Sequence, residues 1–240
     1  GSTSDNKQSG NQTTGGQTSG NQTPGTQTPE DSLKQKTVYV TTSENRIESG
    51  DTIIDSSAKT TYRVINDGIA DKEVEYVVSR TKAEEVVIPD EVVINGKNYK
   101  VTTVADGAFK NNRNVKAVEI GKNVETIEEN AFSGCKNLDE VVVSGNVTAI
   151  KDKAFYKCNS LTSITIPAKV GKIGKQAFYG CKKLKKITIQ STKLTNSKVG
   201  SKAFKGVPAN ATIKVPKSKL NAYKKLFKAK GLNSKVKIRK

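Results

Sequence analysis

From Val101 to Val215 the apolar residues of this chain recur on a fixed register. An Ala-Phe pair appears at Ala108-Phe109, Ala131-Phe132, Ala154-Phe155, Ala177-Phe178 and Ala203-Phe204, so the phenylalanines step by 23, 23, 23 and 26 residues. Five residues before each Phe stands an aliphatic: Val104, Ile127, Ile150, Ile173, Val199. Three after it come Asn112, Cys135, Cys158, Cys181 and Val207, and six after it Val115, Leu138, Leu161, Leu184 and Asn210. Nine and eleven after it the positions are again aliphatic, as in Ile164 and Ile166. A period of this size marks a solenoid, in which each unit buries a narrow strip against its neighbours.

The register predicts the elements of one rung. Positions 9 and 11 alternate with polar ones, the period-2 pattern of a half-buried strand. Around each Ala-Phe the apolar residues fall at −1, 0, +3 and +6, which is helical spacing and predicts a short helix. A second short strand precedes it, seen in Val147-x-x-Ile150 and Val170-x-x-Ile173. Rungs about 4.8 Å apart stack like on like. Phe109, Phe132, Phe155, Phe178 and Phe204 then form one ladder, and Cys135, Cys158 and Cys181 another. A metal site needs ligands converging on one point, whereas these thiols line up, so they read as free, buried core groups.

Outside the repeat the pattern changes. Residues 1–32 are mostly Gly, Ser, Thr, Asn and Gln with no large apolar side chain, and predict a disordered linker. The sequons at Asn11 and Asn21 carry little weight in so Asn- and Thr-rich a stretch. Residues 33–85 read as an N-terminal β cap or a small β domain, with strands at Thr37–Thr41, Thr60–Ile65 and Glu73–Ser79 and a turn at Asn66-Asp67-Gly68. Val86-Val87-Ile88-Pro89 starts the register, and Asn95-Gly96 predicts a hairpin between Val92–Ile94 and Tyr99–Thr103. Residues 217–240 read as a C-terminal cap: Ser218 as N-cap, a helix with Leu220, Tyr223, Leu226 and Phe227 on one stripe, Gly231 as its stop, and a last strand at Val236–Ile238.

The frame Ile-Gly-x-x-Ala-Phe-x-x-Cys-x-x-Leu-x-x-Ile-x-Ile, nearly complete from Ile173 to Ile189, resembles the BspA-like leucine-rich repeats of bacterial surface proteins. The likeness covers 86–216 and extends weakly into the Lys-rich tail. It departs at Asn112, where Cys is usual, and at Asn210, after a three-residue insertion within 190–198. The resemblance implies an α/β leucine-rich-repeat solenoid of about 23-residue rungs (short strand, short helix, strand), bounded by an N-terminal β cap and a C-terminal helical cap. It further implies an extracellular or cell-surface location and adhesion to a protein or glycan partner.

Composition narrows the chemistry. A hydrophobic share of 34% is thin for one thick core and suits a repeat stack. The absence of His removes imidazole acid–base and nucleophilic triads, and no acid pair or Gly-rich phosphate loop replaces them, so no catalytic site, cofactor or metal is expected. No apolar run is long enough to span a membrane as a helix. There is no Met, and Gly1-Ser2 reads as a cloning remnant with any leader removed. Glu125, Glu128, Glu129, Asp139 and Glu140 read as a solvated face, with weak cation binding as the other reading.

Charge is lopsided. Residues 1–150 carry a net −6, and residues 151–240 a net +24 from 24 Lys, Arg239 and the single acid Asp152. Such asymmetry points to an anionic partner, and the alternative function is cell-envelope association through anionic wall polymer. With almost no Arg and few aromatics, nucleic acid is disfavoured. The candidate binding surface is the outward strand face. One of its columns reads Ala117, Glu140, Ser163, Lys186, Thr212, and the other Glu119, Val142, Thr165, Thr188, Lys214. Tyr156 and Tyr179, adjacent on successive rungs, either stack on a sugar or cover rung edges.

Overall fold

The computed structural model describes residues 37–43 and 46–240, so the linker expected over 1–32 lies outside them. The first strands are β1 (Thr37–Val40), β2 (Thr52–Asp55), β3 (Thr60–Asp67), β4 (Lys72–Ser79), β5 (Glu85–Ile88), β6 (Glu91–Ile94) and β7 (Lys97–Val104). Of these, β2 was not read from sequence. It pairs antiparallel with β3 through a turn in which the Asp55 carboxylate accepts the Ser57 and Ala58 N–H groups. β6 and β7 form the expected hairpin, with Asn95 and Gly96 both at positive φ (47° and 77°). That is the geometry a two-residue turn needs to match strand twist.

From there three rungs each supply one long and one short strand, β8 (Ala117–Ile120) and β9 (Thr126–Ile127), β10 (Glu140–Val142) and β11 (Ala149–Ile150), β12 (Ser163–Ile166) and β13 (Lys172–Ile173); the last supply long strands only, β14 (Lys186–Ile189), β15 (Thr212–Lys214) and β16 (Lys237–Arg239), with a single bridge from Val199 to Ile173. The short strands form a parallel sheet with β7 and β4, which carries on into β3 and β2, while β6 and β1 attach alongside β7. The long strands form two parallel sheets, β5-β8-β10 and β12-β14-β15-β16. Between β10 and β12 the Thr162 N–H still reaches the Asp139 carbonyl at 3.2 Å, as Lys185 reaches Thr162 at 2.9 Å one rung on, so the register is kept.

The short helix expected at each Ala-Phe is not there. Its place is taken by a chain of tight turns. Two residues before each Phe the backbone is left-handed at Gly107, Asn130, Lys153, Gln176 and Lys202, and two after it at Asn111, Gly134, Lys157, Gly180 and Gly206. A right-handed helix cannot pass through such residues. The hydrogen bonding explains why they are tolerated. In the first four rungs the N–H groups at those two positions and at Phe itself donate to the next rung, as in Lys153 to Lys175 O (2.8 Å), Phe155 to Ala177 O (2.8 Å) and Lys157 to Tyr179 O (2.7 Å). The alternate N–H groups close turns within the rung, as in Tyr156 to Lys153 O. Helical spacing of the apolar residues survives because both arrangements turn one face inward.

The core is a column of rings. Phe109, Phe132, Phe155, Phe178 and Phe204 are buried and stack at 5.0, 5.2, 5.4 and 5.6 Å between centroids, within 13° of parallel. Tyr76 of β4 stacks below Phe109 at 5.4 Å, and Phe227 meets Phe204 edge-on at 5.0 Å. Such pairs add about 0.5–1.5 kcal/mol each to the burial of their surface. Beside the rings the three thiols are free and buried. They also do something a plain hydrophobe cannot: Cys135, Cys158 and Cys181 donate to the carbonyls of Phe109, Phe132 and Phe155 at 2.9, 3.0 and 3.1 Å. Asn112 stands in the same place in the first rung, and its carboxamide oxygen accepts the N–H groups of Asn114 and Val115.

At the far end, helix α1 (Leu220–Ala229) buries Tyr223, Leu226 and Phe227. Ser218 does not cap it. The N-cap is Lys219 with no side-chain bond, and Ser218 sits in a preceding 3₁₀ turn, Lys217–Lys219. The C-terminus closes in a Schellman arrangement, with Gly231 at φ 91°, its N–H on Lys228 O and the Leu232 N–H on Phe227 O.

Two outcomes test this packing. Phe155→Ala empties the middle of the ring column and is expected to cost about 3–5 kcal/mol in urea unfolding; wild-type stability in that variant would show that the column is not the core. Burial pushes the thiols of Cys135 and Cys181 up to about 12 and that of Cys158 also well above its usual value. A raised thiol stays neutral in the fold while the unfolded thiol ionises near pH ~8.5. Stability is therefore complete below that pH and falls as pH rises towards 12. Urea midpoints at pH 7, 9 and 10 should decline, and Cys158→Ala should flatten the decline.

Candidate functional site

The outward columns of the long strands are built by register. Parallel pairing sets Glu85 beside Ala117 and Ala117 beside Glu140, then Ser163 beside Lys186, Lys186 beside Thr212 and Thr212 beside Lys237. The second column runs Val87, Glu119, Val142 and then Thr165, Thr188, Lys214, Arg239. Glu140, Ser163, Lys186, Val142 and Thr165 are exposed, and Thr188 is half-buried. Val142 is 51% exposed, a large apolar side chain near the middle of the face. The sequence register supplied five positions in each column. The structure adds Glu85 and Val87 at one end and Lys237 and Arg239 at the other. The β6–β7 hairpin interrupts the period before Ala117, which is why the first pair was hidden.

Tyr156 and Tyr179 stack on each other at 5.2 Å and 17°, both half-buried. The ammonium of Lys157 lies over the Tyr156 ring at 5.1 Å. The Tyr156 ring is thus met by Tyr179 and by the Lys157 ammonium, and the Tyr179 ring by Tyr156. A sugar stacked flat on Tyr156 would have to displace one of those contacts.

The acids of the 123–140 rung divide by role. Glu128 pairs with Lys151 at 2.7 Å and Glu129 with Lys153 at 3.8 Å, each a lysine of the next rung. Glu125, Asp139 and Glu140 are exposed. Among the described residues no three Cys, Asp or Glu side chains are placed to hold a metal ion. The single acid of the basic half, Asp152, accepts the Lys175 N–H at 2.8 Å. Close by, Gly174 has a structural reason to be Gly: a Cβ there would run into the backbone of Lys151 and Asp152.

One hollow was not foreseen. The 190–198 insertion and α1 enclose a groove of about 450 Å³ lined by Leu194, Thr195, Lys219, Tyr223, Lys225 and Leu226 among others. The Tyr223 hydroxyl holds its two walls together, donating to Ser191 O at 2.9 Å and accepting from the Leu194 N–H at 3.2 Å. The insertion and the amphipathic stripe were both visible in the sequence, but not that they face each other.

No helix among the described residues is long and apolar enough to cross a membrane. The chain is similar in structure to a leucine-rich repeat protein of T. pallidum, at 26% identity and a TM-score of 0.55 over 68% of this chain and 71% of that one. A leucine-rich repeat protein of Bacteroides capillosus matches at 28% identity and a TM-score of 0.52, over 59% of this chain and 99% of that one. The pneumococcal vaccine antigen PcpA shares the fold, at 21% identity and a TM-score of 0.58, over 70% of this chain and 47% of that one. No curated protein matches the sequence. Six copies of the BspA type leucine rich repeat region match residues 102–233, more than half of the chain, and the chain belongs to that family.

Proposed function

We propose that this chain is a secreted or surface-displayed binding module that presents the long-strand face to a protein or glycan partner. The observation that carries the reading is the face itself: seven strands in one register, with Ser163, Thr165 and Val142 at its centre and charge at its ends. Small and half-apolar residues between charged rims suit a surface that closes on a partner and excludes water. The family supports surface display. We read 37–85 and 217–240 as caps on the two ends of the ring column, since Tyr76 and Phe227 extend it on either side. Residues 1–32 serve in this reading as a spacer.

A second reading rests on a separate observation. After Asp152 the chain has no carboxylate side chain to pair its lysines, so the C-terminal half presents uncompensated cations to any polyanion. Cell-envelope association through anionic wall polymer follows from diffuse attraction of this kind, and Lys suits it better than Arg.

The purified chain should be screened against matrix proteins, glycans and anionic wall polymer at about 0.15 M and about 1 M salt. The face reading expects a partner retained at high salt and lost by tenfold or more in Thr165→Arg, which puts a long cation in the small centre (about 1.4 kcal/mol or more). The wall reading expects binding that vanishes at high salt and ignores Thr165→Arg. Retention on purified walls at high salt would dismiss the electrostatic reading.

A further inference from the structure

The seven long strands have β12 at their centre, and the two outward columns are nearly antisymmetric in charge about it. One strand before Ser163 stands Glu140 and one strand after it Lys186. Three strands before stands Glu85 and three after it Lys237. In the second column Glu119 lies two strands before Thr165 and Lys214 two after. The uncharged positions match as well: Ala117 with Thr212, and Val142 with Thr188. Only Val87 against Arg239 breaks the scheme.

We propose that this face binds a second copy of the same chain, face to face, with the two stacks running in opposite directions. A two-fold axis parallel to the strands and passing by Ser163 and Thr165 reverses the strand order and keeps each column over itself. It sets Glu140 over Lys186, Glu85 over Lys237 and Glu119 over Lys214, each twice, and small residues over small ones between them. An axis along the stack would instead exchange the two columns at each level, leaving Glu140 over Val142 and Lys186 over Thr188 and setting acidic half on acidic half and basic half on basic half. The contact is thus isologous and closed, giving a dimer and no fibre. Exposed Val142 falls near the axis, where water is most fully excluded.

Its size sets its strength. Seven strands at ~4.8 Å and four residues at ~3.3 Å give roughly 400 Å² per copy, in the weak and transient class. The chain's net charge of +18 opposes the approach of two copies at low ionic strength. At about 0.15 M salt the Debye length is ~8 Å, which screens that long-range repulsion but spares charges in contact. Dimerisation should therefore be strongest at intermediate salt and fade both near 0.01 M and near 1 M.

The proposal rests on the strand face being the interaction surface, and the test separates the two. Sedimentation velocity of the full chain over a concentration series at about 0.15 M salt should show a monomer–dimer equilibrium. Glu140→Lys and Lys186→Glu each turn two attractive contacts into repulsive ones, and each should weaken self-association by about tenfold or more. Mixing the two single variants restores both contacts and should restore the dimer, as should the double variant with itself; the double variant mixed with wild type should not form a mixed dimer. Both substitutions fall at exposed positions, and circular dichroism checks that the variants fold. A wild type that stays monomeric, or a dimer indifferent to the swaps, overturns the proposal. If such a monomer still binds an external partner through Thr165, the surface reading stands without the dimer. If the dimer obeys the swap pattern and no external partner is found, the proposal stands and the external partner falls.

Discussion

Everything in this molecule follows from the spacing of one rung to the next. Main-chain hydrogen bonds at the left-handed corners hold successive rungs at the spacing of strands in a sheet, so each side chain lies directly on its counterpart 23 residues away. A position is therefore acceptable only if its occupant tolerates its own neighbour in the stack. Phenylalanine does so by offset stacking. Cysteine does so because its thiol turns to the Phe carbonyl of the rung before and leaves its fellow thiols alone. Carboxylates do so by meeting cations of the next rung, Glu128 its direct counterpart Lys151 and Glu129 the diagonal Lys153.

The same constraint shows why the sequence was legible in some places and silent in others. The ring column, the two strand periods and the outward columns are all carried by apolar spacing, and each stood in the sequence. The rung corner did not, because apolar residues at −1, 0, +3 and +6 fit a helix and a coil of tight turns equally well. What separates the two is a pair of left-handed residues. At Asn111 and Gly134 the residue type hints at that conformation, but Lys153, Lys157, Gln176 and Lys202 give no hint. At Lys153, Lys157 and Gln176 the strain is offset by bonds to the next rung, which local propensity cannot see. The ends of the candidate surface were lost for a related reason. The β6–β7 hairpin and the tail leave the period, so the partners of Ala117 and Thr212 could be found only from strand register.

Charge divides the stack into two kinds of surface. Up to Lys153 the rungs are bridged by ion pairs between neighbours, which add little stability when exposed but hold charge close to balance. Beyond it the lysines have no side-chain carboxylate to meet, yet the core beneath them is unchanged: Ile187, Ile213 and Phe204 are as buried as Val118 and Phe132. Fold and surface are thus set independently, the one by the inward positions and the other by whatever partners select. That separation is why the family match speaks plainly about architecture and leaves the ligand to the outward residues.

The three hidden thiols have a consequence for the lifetime of the molecule in an oxidising medium. In the native stack they point at carbonyls and are shielded from oxidants. In an unfolded chain they are exposed, evenly spaced and odd in number, so any pair that oxidises links two rungs in a way the native geometry does not provide for. Refolding is then blocked, and the last thiol is left to join another chain. The module needs no cross-link to fold, but where oxidants are present its durability is governed by how rarely the ring column opens, a rate and not an equilibrium.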